Sequence, residues 1–143
     1  MMYLLDTNVV SESRKARSGR AAPEVVEWLR STAPEVTFVS AMTLFELELG
    51  VLRIERRDAA QGKALRSWLD GTVKSGFAGR VLVMDAAVAA ACAALHVPNP
   101  VSESDAWIAA TALVHRLIVV TRNVGDFAPT GVRTLNPWQA SSQ

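Results

Sequence analysis

Five carboxylates stand out by where they fall along the chain. Asp6 directly follows the apolar run Tyr3-Leu4-Leu5, and Asp126, with Arg122 and Asn123, follows the apolar run 117–121. Glu46 and Glu48 lie early in a helical pattern that follows the β-branched and aromatic run 36–39, and Asp105 lies in the first turn of the helical pattern before run 117–121. If those runs are strands of one open α/β sheet, the acids collect at its carboxyl edge, where such sheets bind ligands. Like charges brought together repel, and their pKa values rise unless cations neutralise them. Clustered oxygen donors suit hard cations, so the chemistry expected is that of Mg²⁺, with Mn²⁺ as a substitute. His96 and His115 have no metal-ligand spacing and read as structural or exposed.

Each acid also has a plainer reading. Asp105 begins a stripe that continues through Ile108, Ala109, Ala112 and Leu113, the core side of its helix, and a buried carboxylate without a partner is costly. The same residue closes a capping box, Ser102-x-x-Asp105. Asp6 fits the cap of a helix starting near Asn8, and Asp126 fits a turn after Gly125. Glu46 and Glu48, two residues apart, point to roughly opposite sides of a helix that is apolar on both, so the helix wheel does not choose between them. Gly50, one turn after Glu46, would allow close approach of another backbone.

The elements that must position these acids alternate. Strands are expected at 3–5, 36–39, 80–84, 117–121 and, short and at an edge, 132–135. Helices are expected from Pro23, from Ala41 (capped by Ser40) to about Ile54, from about Asp58 to Lys74, from Asp85 to about Leu95, and from Glu103 (capped by Ser102) to about His115. Residues 14–20 read as a basic loop, and Pro98 and Pro100 break the chain. Strands that are continuous apolar runs mark a parallel sheet covered on both faces.

The 143 residues fit one domain, 1–143, without a repeat or a long linker. Half are hydrophobic, 20% are charged and the formal charge is +1, which excludes a disordered chain, a uniformly basic nucleic-acid binder and an acidic tail. A single cysteine, Cys92, rules out a disulfide framework or a cysteine metal knuckle and reads as a buried reduced thiol. Asp6 interrupts the apolar start, so no signal peptide is expected, and no apolar stretch is long enough for a bilayer span. A soluble, cytoplasmic protein is the expectation.

Four segments, in order, resemble the PIN domain. They are Leu4-Leu5-Asp6-Thr7-Asn8, Thr43-Leu44-Phe45-Glu46 with Gly50-Val51, the segment 105–112 from Asp105-Ala106-Trp107, and Val120-Thr121-Arg122-Asn123 with Asp126-Phe127. More narrowly they are similar to the VapC-type toxins of toxin–antitoxin modules, in their FitB-like branch, which the ending Asn136-Pro137-Trp138 also fits. The resemblance implies a three-layer α/β/α fold with a central, mainly parallel sheet of four to five strands. It implies a Mg²⁺-dependent endoribonuclease with Asp6, Glu46, Asp105 and Asp126 as catalytic, metal-binding acids. It selects Glu46 over Glu48, makes Asp6 and Asp105 the firmest ligands, and gives Thr7, Asn8 and Asn123 positioning roles. It further implies a homodimer, an antitoxin partner, and DNA contact only through that antitoxin. The segment 95–104 is shorter than is usual in this branch, which bears on the rim beside Asp105.

Arg122, with Arg14, Lys15, Arg17 and Arg20, supplies candidate phosphate contacts to an RNA substrate. A haloacid-dehalogenase-like phosphohydrolase with Asp6 as nucleophile would need an acid where Asn8 stands. An antitoxin-binding PIN module with weak or lost catalysis is the other alternative, and the intact acid set argues against it. Of the 14 acidic residues, setting aside the four leaves 10 against 15 basic ones, a balance of +5 that suits a polyanionic substrate once cations fill the acidic hole. The apolar helix from Met42 to Ile54 carries more hydrophobic surface than one buried face needs, so it is either an interface or buried on both sides.

Overall fold

Five short strands form the centre of the computed structural model, which describes residues 1–139. They are β1 (Tyr3–Leu5), β2 (Thr37–Ser40), β3 (Val81–Leu82), β4 (Ile118–Val120) and β5 (Thr134–Leu135). All pairings are parallel, in the order β3-β2-β1-β4-β5. The chain therefore builds outward from β1 through β2 to β3, then crosses back to place β4 on the other side of β1. The switch point falls between β1 and β4, where crossover helices leave in opposite directions and a crevice opens at the carboxyl ends.

Strand alternation divides the core. Leu5, Val39 and Val120 face one side and pack with Val9 and Val10 of α1 (Thr7–Ser13) and with Leu47 and Val51 of α3 (Ala41–Arg57). Leu29 of α2 (Pro23–Ser31) and Leu65 of α4 (Ala59–Trp68) border that cluster. Leu4 and Val119 face the other side and meet Ile108, Ala109 and Ala112 of α6 (Glu103–His115) and Phe127 of α7 (Val124–Phe127). α5 (Ala86–Leu95) lies against α6 through Val88, Cys92, Ala106 and Ala110, small enough to bring the two helices close. The result is the three-layer, parallel architecture expected from the apolar strand runs. Cys92 is buried and unpaired, and burial pushes its thiol pKa up. Among the described residues no helix is long and apolar enough to cross a membrane.

The structure corrects several elements. Residues expected as a loop fold as a 3-10 helix, Arg14–Ser18, closed by Gly19 at a φ of 73°. The run 80–84 yields only Val81–Leu82 as strand, because β2 ends at Ser40, paired with Leu82, and leaves Val83 and Met84 exposed without a partner. The expected helix 58–74 is α4 followed by a π-helical segment, Leu69–Lys74, with Leu69 and Val73 both buried. Asp126 lies in α7 rather than in an open turn. Gly50 is exposed and meets nothing, whereas Gly62 carries the close approach: a Cβ there would stand 2.5 Å from Glu55 Cα. α3 presents Phe45 and Leu52 to solvent, so it is not buried on both sides.

Candidate active site

Asp6 is the best-supported carboxylate. It is 6% exposed, one residue past β1, and its own N–H donates to Val120 O at 2.9 Å, which fixes it against the end of β4. Its Oδ1 accepts from Thr7 N at 2.8 Å, so Asp6 is also the N-cap of α1. Its Oδ2 accepts from Thr121 Oγ1 at 2.8 Å and from Asn8 Nδ2 at 3.4 Å. Capping and a place in the site thus coexist. Burial raises its pKa above the usual carboxylate range, the Thr121 and Thr7 bonds oppose that, and the charges of Glu46 and Asp126 add to it.

Glu46 comes from the opposite wall. Its Oε1 accepts the Thr7 hydroxyl, which also lies 3.1 Å from Thr43 Oγ1. Thr43 N in turn donates to the cap of α3, Ser40 Oγ, at 3.1 Å. Glu48 points away and is held by Arg66 at 2.6 Å and Lys74 at 3.0 Å. The geometry separates two glutamates that the helix wheel left equivalent.

Asp105 is half-buried in the first turn of α6. The capping box does not form, since the Ser102 side chain makes no cap bond. Burial, then the charges of Asp6, Asp126 and Glu46, raise the Asp105 pKa from 3.8 to about 6. All four acids therefore share one electrostatic site. Asp126 is exposed on α7 and stands across from Asp105 in a second hollow, about 710 Å³, bordered by Val97, Pro98 and Pro100. Asp6, Glu46 and Asp105 line a cleft of about 440 Å³ with Asn8, Lys15, Arg122 and Asn123. Asp105 belongs to both hollows. Among the described residues no three His, Cys, Asp or Glu side chains form a ready-made metal cage. Nor does any of the four acids take part in an ion pair, whereas Glu12, Glu48, Glu55 and Asp70 all do.

The polar residues around the acids hold one another. Asn8 Oδ1 accepts from Arg122 N at 3.4 Å, and Asn123 N donates to Thr121 Oγ1 at 3.0 Å. Of the basic run, Lys15 lines the cleft, 3.2 Å from Glu12; Arg14, Arg17 and Arg20 are exposed and lie outside its lining. His96 Nδ1 accepts from Val101 N at 3.2 Å, a structural role, and His115 is exposed. Sequence reasoning missed Thr121, Thr43, Ser11, Glu12 and Trp138. Ser11 and Glu12 lie one helical turn past Thr7 and Asn8, a spacing that could have found them. Trp138 stood out only as part of the ending 136–138, with no signal of a place in the site, and it reaches the cleft from far along the chain.

Residues 3–129 match the PIN domain family model. The chain is 37% identical to toxin FitB of Neisseria gonorrhoeae over 142 residues, covering 96% of this chain and 99% of that one. It is 35% identical to VapC ribonuclease Y4jK of Sinorhizobium fredii, over 96% and 99%. A solved structure of FitAB bound to an IR36 DNA fragment superposes with a TM-score of 0.88 at 33% identity, covering 99% of both chains. With a family model spanning most of its length and relatives matched nearly end to end, the chain belongs to the PIN domain family.

Proposed function

We propose that the chain is a Mg²⁺-dependent endoribonuclease, the toxic component of a toxin–antitoxin module. The observation that carries this reading is the set of four like-charged side chains gathered at one switch point, none of them in an ion pair among the described residues. Folding holds acidic groups together at a cost, and a divalent cation removes that cost. The donors fit the group: all are oxygens, and Mg²⁺ is commonly held by one or two carboxylates with water in its remaining positions, so no closed cage is required.

Asp6 and Asp105 would hold the cation, with Glu46 and Asp126 completing the set directly or through water. When bound, it supplies Lewis-acid polarisation of a phosphate oxygen and a more acidic water. The chain's own part is orientation. Thr121 and Asn8 fix Asp6 Oδ2, and Thr7 fixes Glu46, so neither carboxylate must reorganise when substrate arrives. Lys15 and Arg122 supply positive charge to phosphates on the rim, and Asn123 is held beside them.

The relative named a VapC ribonuclease supports RNA as substrate, and the one named a toxin supports the toxic role. FitAB solved on DNA supports an antitoxin partner through which DNA is met. The outward Phe45 and Leu52 of α3 give the homodimer or the antitoxin an apolar surface to cover. A chain acting on RNA in this way works in the cytoplasm. Brief expression followed by sequencing of cleaved RNA ends tests the reading, with Asp105→Asn as control. Discrete new ends that vanish in the control are expected, and identical ends in both would overturn it.

A further inference from the structure

The acid cleft has one wall that neither the carboxylates nor their hydroxyl partners explain. Trp138 lines it, half-buried, with part of its ring against the core cluster of Leu5 and Val120. The guanidinium carbon of Arg122 lies 5.2 Å from the centroid of that indole. Asn136 ties the two together: Trp138 N donates to its Oδ1 at 2.9 Å, and its Nδ2 donates to Arg122 O at 3.4 Å. Asn8 holds the Arg122 backbone from the other side. Arg122 is otherwise exposed and makes no ion pair among the described residues. A long, exposed arginine ordinarily samples many rotamers, and an indole beneath its plane narrows that sampling.

A planar cation laid on an aromatic ring at the lip of a carboxylate cleft has two recognition surfaces. Its N–H edge matches phosphate oxygens, and its open face matches the face of a base. A base offers that face only when it is unpaired and unstacked. We propose that Arg122 and Trp138 form a platform that seats one unpaired nucleotide beside the cleaved phosphodiester. Arg122 touches the nucleotide, and Trp138 is the positioning residue that presents Arg122 to it. This deepens the ribonuclease reading and rests on it.

The test compares kcat and KM for a short single-stranded RNA with those for the same RNA made abasic at one position at a time. Trp138→Ala is expected to raise KM about tenfold with kcat little changed, since the platform holds ground and transition states alike. One abasic position raises the wild-type KM by a similar factor and adds nothing further in the variant. Arg122→Lys, a surface change that keeps the charge and loses the plane, also erases that base dependence, and it stands in should Trp138→Ala not fold. A KM unchanged in Trp138→Ala, or an abasic penalty of full size in either variant, would overturn the platform. A wild-type chain that cuts no RNA overturns the ribonuclease reading instead. Binding of the same RNA in an Asp105→Asn background then decides the platform alone: weaker binding on adding Trp138→Ala supports it, equal binding overturns it.

Discussion

At the scale of single residues, what marks the site is that carboxylates are gathered within reach of one another's charge and none of them is in an ion pair among the described residues. Glu46 and Glu48 share a helix and differ by two positions, yet one bonds a threonine at the cleft and the other is clamped by Arg66 and Lys74. Glu46→Gln is expected to lower RNA cleavage at least about a hundredfold, while Glu48→Gln leaves kcat within about twofold. Steady-state kinetics on one RNA decides this, and equal losses would contradict it. Asp105 sets the pH behaviour. Its folded pKa of about 6 lies above its ordinary 3.8, so between those values the folded state binds more protons than the unfolded one. Stability of the metal-free protein therefore falls as pH rises through that window. Asp105→Asn reduces the slope, leaving the part due to Asp6, whose pKa is also raised: in EDTA at pH 7 the variant melts higher than wild type, by on the order of 3 °C, and the gap closes toward pH 4. Added Mg²⁺ stabilises wild type more than the variant. Thermal melts across pH test both statements. The inward stripe after Asp105 made this residue legible from sequence. Its counterpart across the sheet, Thr121 on Asp6, was not, because the two meet only through the pairing of β1 with β4.

At the scale of elements, the strand runs were readable because a parallel sheet buried on both faces demands continuous apolar residues. Their ends were not, because a strand stops where its neighbour stops: β3 ends with β2 although its sequence stays apolar through Met84. Helix contacts were equally hidden. Gly50 has the spacing of a contact glycine and touches nothing, whereas Gly62 lies under the backbone of Glu55, where α3 and α4 are pressed together. The same helix pair is tied by Arg66, which reaches Glu48, Glu55 and Asp70. These bonds raise the Arg66 pKa further above its already high value. Gly62→Ala is expected to destabilise the fold by about 1–3 kcal/mol through overpacking, read by denaturant unfolding, whereas Gly50→Ala costs nothing measurable. An unaltered midpoint for Gly62→Ala would show that the helices part without cost.

At the scale of the whole molecule, a near-neutral chain conceals an uneven field. Three acids line one cleft and the fourth, Asp126, the hollow that Asp105 shares with it, and the remaining ionisable residues sum to a positive balance. RNA binding is therefore expected to weaken as salt rises, since each phosphate contact releases counterions. Phe45 and Leu52 lie on the outward side of α3. Phe45→Glu with Leu52→Glu is expected to weaken self-association or antitoxin binding about tenfold or more while leaving RNA cleavage by the free chain intact, as ultracentrifugation and a cleavage assay would register. The central claim, that unneutralised carboxylates at the switch point between β1 and β4 bind a cation to cut RNA, is tested most directly by one assay. Purified chain is incubated with a short RNA in Mg²⁺ and in excess EDTA, with folded Asp105→Asn alongside. Cleavage in Mg²⁺ that disappears both in EDTA and in the variant is the predicted result. Cleavage that persists at full rate in EDTA, or in Asp105→Asn, would contradict the account.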